Sequence, residues 1–308
     1  MLEGYDALRE GAAWLDLSGR GRIAVTGRDR ARLLHNLTTN HVKQLAQGGG
    51  CYAFLLTPQG RIQADLDIMA FEDRFLLGTQ PETRERVLQL IRKYIIADDV
   101  KLEDISETLA ELAVEGPRAS AVLASIGAPA PEVPWSHTGW DGAIVAAITS
   151  TGQPGYRIFA PSDRKAEWIG RFEKAGATAA SAGAARLIRI ENGIPRYGED
   201  IFENSLPQET RQMHALHFNK GCYLGQEIVE RIRARGHVNK LLTRVRIEGT
   251  EPPPAGAKLE AAGAEAGEIT SAAFSPAGSN VAALAYVRAA HAQPGAELNV
   301  DGRRAVVA

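Results

Sequence analysis

Residues 219–227 read Asn-Lys-Gly-Cys-Tyr-Leu-Gly-Gln-Glu and place a cysteine between a lysine and two glycines, just before a run that mixes apolar and charged residues. A lysine ammonium near a thiol, with the backbone N–H groups of a following helix behind it, favours the thiolate, which is the nucleophilic and metal-binding form. Cys222 is therefore the first candidate for chemistry, with Lys220 as its charged neighbour. The alternative is that Cys222 is a small buried hydrophobe, as free cysteines usually are.

The residues after this stretch predict a helix. Leu224, Ile228 and Ile232 recur every four residues, which is typical of an apolar stripe on a helix. Arginines fill the last predicted turn, and Gly236 is a helix stop. We therefore predict a helix from Leu224 to Arg235.

The composition is that of a globular protein with more than one core. A chain of 308 residues exceeds the usual span of a single core, and a net charge of -2 argues against a surface that coats nucleic acid. Two cysteines, Cys51 and Cys222, suit a reducing compartment and are too few to cage a metal cluster alone. No segment resembles a signal peptide or a membrane span. We expect a cytoplasmic protein with no membrane contact, no stable nucleic-acid binding and no metal held by this chain alone.

The first half of the chain predicts helices on one face of a mostly antiparallel sheet. Strands are expected at 51–56, 61–71 and 75–78, separated by short turns. Helices are expected from Asp29 to Thr38 and from Pro81 to Ala97, and a strand at 100–105. This is the pattern of an α+β layer.

A similar pattern recurs over 109–192, and the composition then changes. Beyond residue 239, short predicted strands alternate with Pro/Gly turns, at 241–247, 258–261, 265–271, 281–287 and 297–307. They indicate a small β-barrel or sandwich. We therefore predict an α+β region over residues 1–238, made of two intertwined lobes, and a β domain over 239–308.

Several segments, in one order, resemble the glycine-cleavage T-protein superfamily. Residues 220–227 and 204–209 are similar to its YgfZ branch, whose members act in iron–sulfur cluster assembly or repair, and residues 189–198 and 151–156 resemble the folate-site segments of the whole superfamily. The resemblance implies a three-lobed clover-leaf, with two α+β lobes and a C-terminal β-barrel around a central folate-binding channel. It also implies tetrahydrofolate as the cofactor, and cluster enzymes, such as those that modify tRNA, or cluster assembly proteins as partners.

The same segments carry the expected cofactor contacts. A pterin presents an amide N–H beside an exocyclic amine, and the carboxylate of Glu191 is suited to accept from both. The alternative is a solvated helix glutamate paired with Arg189 or with nothing. By resemblance, Arg189, Tyr156 and Tyr197 also contact the cofactor. A set of cations offers partners for the folate glutamate tail, for RNA or for an acidic protein face, or else it only complements the helix dipole: Lys220, Arg231, Arg233, Arg235 and Lys240.

Asp65 lies where the T-protein carries the second of two adjacent aspartates, while the first of the pair is replaced by Ala64. Asp67 is expected on the same strand face as Asp65. A buried carboxylate at this point could transfer a proton or stabilise a developing cation near the folate, although both aspartates could equally be exposed. Where the T-protein has an aspartate-phenylalanine pair, this chain has Cys222-Tyr223.

Three functions therefore compete. The first is a folate-dependent factor for iron–sulfur cluster assembly or repair in which Cys222 acts. The second is an aminomethyltransferase or demethylase that works through Asp65. The third is a folate-binding interaction protein without turnover, in which Cys222 only packs.

Overall fold

The structure is a computed structural model that describes residues 2–308. Its strands form a five-stranded sheet, a six-stranded sheet and a closed six-stranded barrel. The strands are β1 (Ala13–Asp16), β2 (Gly21–Thr26), β3 (Gly50–Leu56), β4 (Ile62–Ala70), β5 (Phe75–Thr79), β6 (Lys101–Asp104), β7 (Leu109–Glu115), β8 (His137–Trp140), β9 (Ala143–Ala146), β10 (Gly155–Pro161), β11 (Thr178–Ala179), β12 (Lys240–Ile247), β13 (Lys258–Ala261), β14 (Ala264–Ser275), β15 (Asn280–Arg288), β16 (Glu297–Val300) and β17 (Arg303–Val307). The helices are α1 (Tyr5–Glu10), α2 (Arg30–Leu37), α3 (Arg84–Lys93), α4 (Ala119–Ser125), α5 (Lys165–Lys174), α6 (Ala182–Asn192) and α7 (Gln226–Arg235).

The first lobe is an antiparallel sheet in the order β3-β4-β5-β2-β6, covered on one face by α2 and α3. The alternation of β4 explains which side chains face the helices. Ala64, Leu66 and Ile68 lie in the core beneath α2 and α3, so Asp65 and Asp67 point to the opposite face.

The second lobe takes its strands from distant parts of the chain. Its sheet has the order β11-β1-β7-β10-β9-β8, so the first strand of the chain pairs with strands that follow the whole first lobe. Helices α4 and α5 cover one face, where Trp168 and Phe172 are fully buried. On the opposite face Phe159 packs with Met69 and Leu76 of the first lobe. The two sheets therefore meet across the faces that α2 to α5 leave uncovered.

The third unit is a closed barrel in the order β12-β15-β14-β13-β16-β17. Closure leaves no free sheet edge, and alternate residues such as Val281, Ala283 and Ala285 fill its interior. Helix α6 packs against α1 and contacts β14 and β15 of the barrel. The predicted strand 297–307 is two strands, because Asp301 and Gly302 both take positive φ angles and turn the chain.

Two predicted helices are shorter than expected. Helix α3 ends at Lys93, because the Tyr94 and Ile95 N–H groups bond to carbonyls only three residues back, which tightens the last turn. Helix α7 begins at Gln226, because Gly225 takes φ +82°. A side chain there would lie 2.5 Å from the Thr57 carbonyl oxygen, so this close approach requires glycine.

The predicted apolar stripe of α7 is also wrong. Val229 is the buried residue of this helix, whereas Leu224, Ile228 and Ile232 are only partly covered. The helix lies on the surface, and Val229 reaches the cluster around Tyr197 and Tyr223. A four-residue spacing identifies a helix, but packing decides which side of it is covered.

Candidate functional site

Asp65 is a buried carboxylate with one oxygen unused by the protein. The Tyr52 hydroxyl donates to its Oδ2 at 2.9 Å, while Oδ1 has no hydrogen-bond partner among residues 2–308. Burial raises the pKa of Asp65; the Arg20 guanidinium opposes the shift and the neighbouring Asp67 adds to it. Asp65 is thus a group that can hold a proton or accept a hydrogen bond from a ligand.

Asp67, two residues along the same strand, differs from Asp65 because both of its carboxylate oxygens have hydrogen-bond partners. Its carboxylate accepts from Arg20 at 2.9 Å, from Arg157 at 2.6 Å and from the Trp135 indole N–H at 3.0 Å. Burial by itself would raise the pKa of Asp67, but the two guanidinium groups outweigh burial and lower it. Asp67 is therefore a fixed anion beside a protonatable neighbour, which is how two carboxylates at one site take different roles.

The cations that hold Asp67 also connect the two lobes. Arg157 on β10 lies 3.3 Å from Glu111 on β7, and Arg20 lies 3.2 Å from the same carboxylate. Glu111 is fully buried. Sequence reasoning missed this network, although an arginine inside the apolar strand Tyr-Arg-Ile-Phe-Ala was a signal that could have found it.

An aromatic group lies beside the carboxylates. The Tyr52 ring lies 5.3 Å from the His214 ring, and His214 stacks on Trp135 with centroids 5.4 Å apart. The Asn40 amide donates to the backbone oxygens of both Tyr52 and His214, which holds the loop that carries His214 against β3. Tyr52 is thereby fixed in the position from which it bonds to Asp65.

Tyr197, a predicted cofactor contact, is joined through Arg86 to the strand that carries Asp65, because Arg86 also donates to the Gln63 carbonyl oxygen. Its ring is buried, and its hydroxyl accepts from Arg86 at 2.9 Å. Burial raises the pKa of Tyr197 to about 12, and the charge of Asp65 is near enough to add to the rise. A cavity of about 410 Å³ opens here, lined by Glu82, Arg86, Tyr197, Phe202, Glu203 and Asn204.

Glu191 lies at the end of α6 and faces α1. Its carboxylate accepts from the Tyr5 hydroxyl at 2.8 Å and lies 3.7 Å from Arg9. Only 12% of its side chain is exposed, so it is not a solvated helix glutamate, and it is not paired with Arg189. No hydrogen bond or ion pair joins Glu191 to Asp65 within residues 2–308.

Two other predicted cofactor contacts, Arg189 and Tyr156, are engaged with other parts of the protein. The Arg189 guanidinium is buried and bonds to the carboxylates of Glu199 and Asp200, so its terminal nitrogens are already engaged. Tyr156 packs against the helix-covered core of the second lobe. The next residue, Arg157, points to the opposite face because strand residues alternate, and it donates to Asp67.

Lys220 is turned away from the solvent into the end of α2. Its ammonium donates to the carbonyl oxygens of His35, Thr38 and Asn40 at 2.5, 2.5 and 2.8 Å. It also lies 4.7 Å above the Tyr223 ring, and burial lowers the pKa of Lys220 to about 7. These contacts tie the loop of residues 219–225 to α2, so the structure gives Lys220 an anchoring role.

The two cysteines are free and differ in environment. Cys222 is exposed, and Cys51 is partly covered. Burial raises the pKa of the Cys51 thiol to about 12. Cys222 is therefore not a packed core residue, and it is the accessible thiol of the chain.

A row of histidines, absent from the sequence analysis, lies beside Lys220. The rings of His35 and His41 are 4.6 Å apart, and those of His41 and His217 are 5.0 Å apart. Burial lowers the pKa of His35 to about 4, and the Lys220 charge adds to this effect. Within residues 2–308 no group of three or more His, Cys, Asp or Glu side chains is arranged to hold a metal ion.

Three of the five predicted cations have separate partners. Lys220 is engaged by carbonyl oxygens, Arg233 lies 4.6 Å from the Phe218 ring, and Lys240 lies 4.4 Å from the Tyr286 ring. The loop, the helix and the start of the barrel direct these three side chains to different surroundings.

None of the helices within residues 2–308 has the length and apolar character needed to cross a bilayer.

Known families match nearly the whole chain. Residues 1–220 match the GCVT N-terminal domain, and residues 240–308 match the glycine cleavage T-protein C-terminal barrel domain. The aminomethyltransferase of Rubrobacter xylanophilus is 31% identical over 92% of this chain and 78% of its own length. A putative chloroplastic transferase of Arabidopsis thaliana is 27% identical over 93% of this chain and 67% of its own length.

A solved structure matches the fold. The glycine cleavage system aminomethyltransferase T from Bartonella henselae superimposes with a TM-score of 0.89 and 22% identity, covering 98% of this chain and 86% of that one. This likeness confirms the predicted fold class of two α+β lobes with a C-terminal β-barrel.

Proposed function

This chain belongs to the glycine-cleavage T-protein family, and from that premise we propose that it binds tetrahydrofolate or a one-carbon derivative beside Asp65. One observation carries the proposal. Asp65 Oδ1 is buried without a partner among the described residues, while Oδ2 is held by Tyr52. An orphaned buried oxygen costs about 1–3 kcal/mol, which a bound donor would recover.

The residues around Asp65 fit such a ligand. Tetrahydrofolate, when bound, supplies the nitrogen atoms that carry a one-carbon unit. Asp65 holds or releases a proton at Oδ1, and Tyr52 orients its carboxyl group. Asp67, fixed by Arg20 and Arg157, keeps a negative charge beside it. Glu191 faces α1 and has no hydrogen bond or ion pair with Asp65 within residues 2–308, and the proposal gives its carboxylate the donor edge of the pterin.

We further propose that the folate-bound protein serves iron–sulfur cluster assembly or repair. Support comes from the likeness of residues 204–209 and 220–227 to the YgfZ branch and from the exposed Cys222 thiol on an anchored loop. Its partners would be cluster assembly proteins or cluster enzymes, including those that modify tRNA. The proposal places this work in the cytoplasm, where two free thiols stay reduced.

The second candidate is aminomethyl transfer to tetrahydrofolate. It is favoured by the names of the relatives, among them the aminomethyltransferase of Streptomyces coelicolor, which is 28% identical over 98% of this chain and 85% of its own length. The protonatable Asp65 suits this reaction too. Against it stand Ala64 and Cys222-Tyr223, which depart from the aspartates and the aspartate-phenylalanine pair of the T-protein.

A folate titration tests the shared part of both candidates. Calorimetry should show that Glu191→Ala lowers tetrahydrofolate affinity by about one to two decades, because a carboxylate is removed from buried donors. Glu199→Ala, which breaks the ion pair with Arg189 instead, separates loss of a ligand contact from loss of α6 packing. Equal affinity in Glu191→Ala and wild type would reject the proposed pterin contact.

Complementation separates the two candidates. In a strain that lacks its own copy, wild type should restore the activity of cluster enzymes and Cys222→Ala should not. A glycine-cleavage assay with lipoyl-bound aminomethyl should show trivial turnover. Steady turnover that is lost in Asp65→Asn, together with full complementation by Cys222→Ala, would favour the aminomethyltransferase instead.

A further inference from the structure

Glu191 lies where three parts of the chain converge. It belongs to the last turn of α6, and its backbone oxygen accepts from Arg244 on the barrel strand β12 at 3.2 Å. The side-chain amide of the next residue, Asn192, donates to the Thr151 carbonyl oxygen of the second lobe at 2.9 Å. Gly193 ends the helix with φ +73°, and a side chain there would lie 2.7 Å from Arg244 Cδ. The backbone that carries Glu191 is therefore fixed by both the barrel and the second lobe.

Helix α1 fixes the side chain of Glu191 as well. The Tyr5 hydroxyl donates to Oε1 at 2.8 Å, and the Arg9 guanidinium lies 3.7 Å from Oε2, so each carboxylate oxygen has its own neighbour on α1. Burial and the Glu191 carboxylate raise the pKa of Tyr5, while Arg9 opposes the rise, so the hydroxyl keeps the proton that it donates. Leu8 is fully buried in the core between α1 and α6. The carboxylate is thus held in one orientation from one side.

These contacts leave acceptor positions of Glu191 unused. A carboxylate offers about four lone-pair positions, two on each oxygen. Within residues 2–308 only Tyr5 and Arg9 bond or pair with these oxygens, and they take at most one position on each. One position on each oxygen therefore remains for a ligand. Two such positions in one fixed plane match a planar group with two adjacent N–H donors.

Glu115 shows the contrasting case of a carboxylate that the protein satisfies completely. The backbone N–H and the hydroxyl of Ser150 both donate to its Oε1 at 2.8 Å. The backbone N–H and the hydroxyl of Thr151 both donate to its Oε2. All four acceptor positions of Glu115 are filled, and its side chain is fully buried. Glu191 is held just as firmly but keeps half of its acceptor capacity, which is the arrangement expected where a ligand supplies the other donors.

We propose that Tyr5 and Arg9 are positioning residues, which make Glu191 selective for ligands that carry two adjacent N–H donors. The donor edge of a 2-amino-4-oxopteridine is such a group, so this selectivity deepens the proposed function and rests on it. Tyr5 fixes the plane of the carboxylate, and Arg9 keeps a positive charge beside its second oxygen. The first helix of the chain thereby sets the ligand preference of a residue 186 positions away.

Calorimetry with two ligands tests this role. The ligands are tetrahydrofolate and its 2-desamino-2-methyl analogue, which keeps one of the two N–H donors and lacks the other. Wild type should prefer tetrahydrofolate about tenfold or more, because the second bond to a carboxylate is charge-assisted. Tyr5→Phe should lower this preference at least about threefold, because a carboxylate that is free to turn no longer holds the plane that two bonds require. Arg9→Gln should have a smaller effect, since Arg9 is 42% exposed and more distant.

Two control variants separate positioning from packing. Leu8→Val loosens the core between α1 and α6 but touches neither bond to Glu191, so it should lower the melting temperature and leave the ligand preference unchanged. Arg9→Lys keeps the positive charge and should keep the preference of wild type. A loss of preference in Tyr5→Phe and Glu191→Ala, with none in Leu8→Val, supports the positioning role.

The contrary outcomes are distinct. If Glu191→Ala loses the preference and Tyr5→Phe keeps it, the role of α1 is rejected while the pterin contact of Glu191 stands. A loss in Leu8→Val as large as that in Tyr5→Phe would also reject the role, because packing alone would explain it. If wild type binds both ligands equally, or if Glu191→Ala keeps the preference, the pterin contact of the proposed function fails and the role of α1 fails with it.

Discussion

The carboxylate pair on β4 and the cysteine loop at residues 219–225 both place a reactive group beside a charged one, but they differ in which member is buried. On β4 the candidate group, Asp65, is buried, and burial raises its pKa. In the loop the candidate group, Cys222, is exposed, while its charged neighbour Lys220 is drawn into the protein. The first region can hold or release a proton at Asp65, whereas the second can present the Cys222 thiol to a partner.

The difference shows how neighbouring charges are used. Around Asp67 the buried charges neutralise one another across two lobes, so they stabilise the interface as a set. Around Lys220 backbone oxygens satisfy a single ammonium, so it orders one loop. Four predictions test this contrast.

The largest effect is expected for Arg157→Met. This change removes one of the two guanidinium groups that Asp67 and Glu111 share and leaves only Arg20 between them, and breaking a buried ion pair costs about 3–5 kcal/mol. Urea unfolding should show this loss. Arg164→Met is the control, because Arg164 pairs with Glu167 at the surface, and it should change stability little. Equal losses in the two variants would contradict the special position of the buried network.

The second prediction concerns the two thiols. Brief iodoacetamide treatment at neutral pH should label Cys222 at least about a hundredfold faster than Cys51, because a thiol with a pKa of about 12 is almost never ionised at pH 7. Mass spectrometry of the labelled peptides gives both rates. Cys51→Ala should leave the Cys222 rate unchanged, and earlier labelling of Cys51 would contradict the role of Cys222 as the reactive thiol.

The third prediction isolates the anchor. Lys220→Met removes the donor to three carbonyl oxygens and should cost about 2 kcal/mol of unfolding free energy. Lys43→Met, a change at an exposed lysine nearby, should cost far less. If Lys220 only orders the loop, the alkylation rate of Cys222 should change less than threefold. A much slower rate would return Lys220 to the role of activating the thiol.

The smallest effect is a pH dependence from His35. Its folded pKa, about 4, lies below the value near 6.5 of an unfolded chain, so the unfolded state binds the proton first. Stability is therefore full above about pH 6.5 and is lost as the pH falls toward 4, by about 1 kcal/mol at pH 5.5. His35→Gln should flatten this part of the pH–stability profile. An unchanged slope would place the dependence on other groups, such as His41 and His137, whose pKa values are also lowered by burial.

Much of the architecture follows from the sequence because it depends on local periodicity. Alternating apolar residues around Asp65 and Asp67 predicted that both carboxylates share one strand face, and they do. The Pro/Gly turns beyond residue 239 predicted short strands, and a closed barrel is present there. The glycine at 236 ends α7 in the left-handed conformation, as a helix stop should.

The charge partners could not be read from the sequence, because they come from distant segments. Asp67 and Arg157 are ninety residues apart and meet only when two sheets pack face to face. Lys220 looked like a partner of Cys222 two residues away, but the end of α2 offers its ammonium three unpaired oxygens. The partners of a buried charge are the groups that the fold brings next to it, however far apart they are in the sequence.

The sequence by itself determined most strands and helices, the shared face of Asp65 and Asp67, and the positions of the Pro/Gly turns. These features depend on backbone sterics and two-residue alternation, which act locally. Only the tertiary structure decided which of these residues are functional neighbours. It paired Asp65 with Tyr52, placed Lys240 opposite Arg288, and turned Tyr156 away from the face that Arg157 reaches. Burial and charge pairing act between segments, so they are properties of the folded chain.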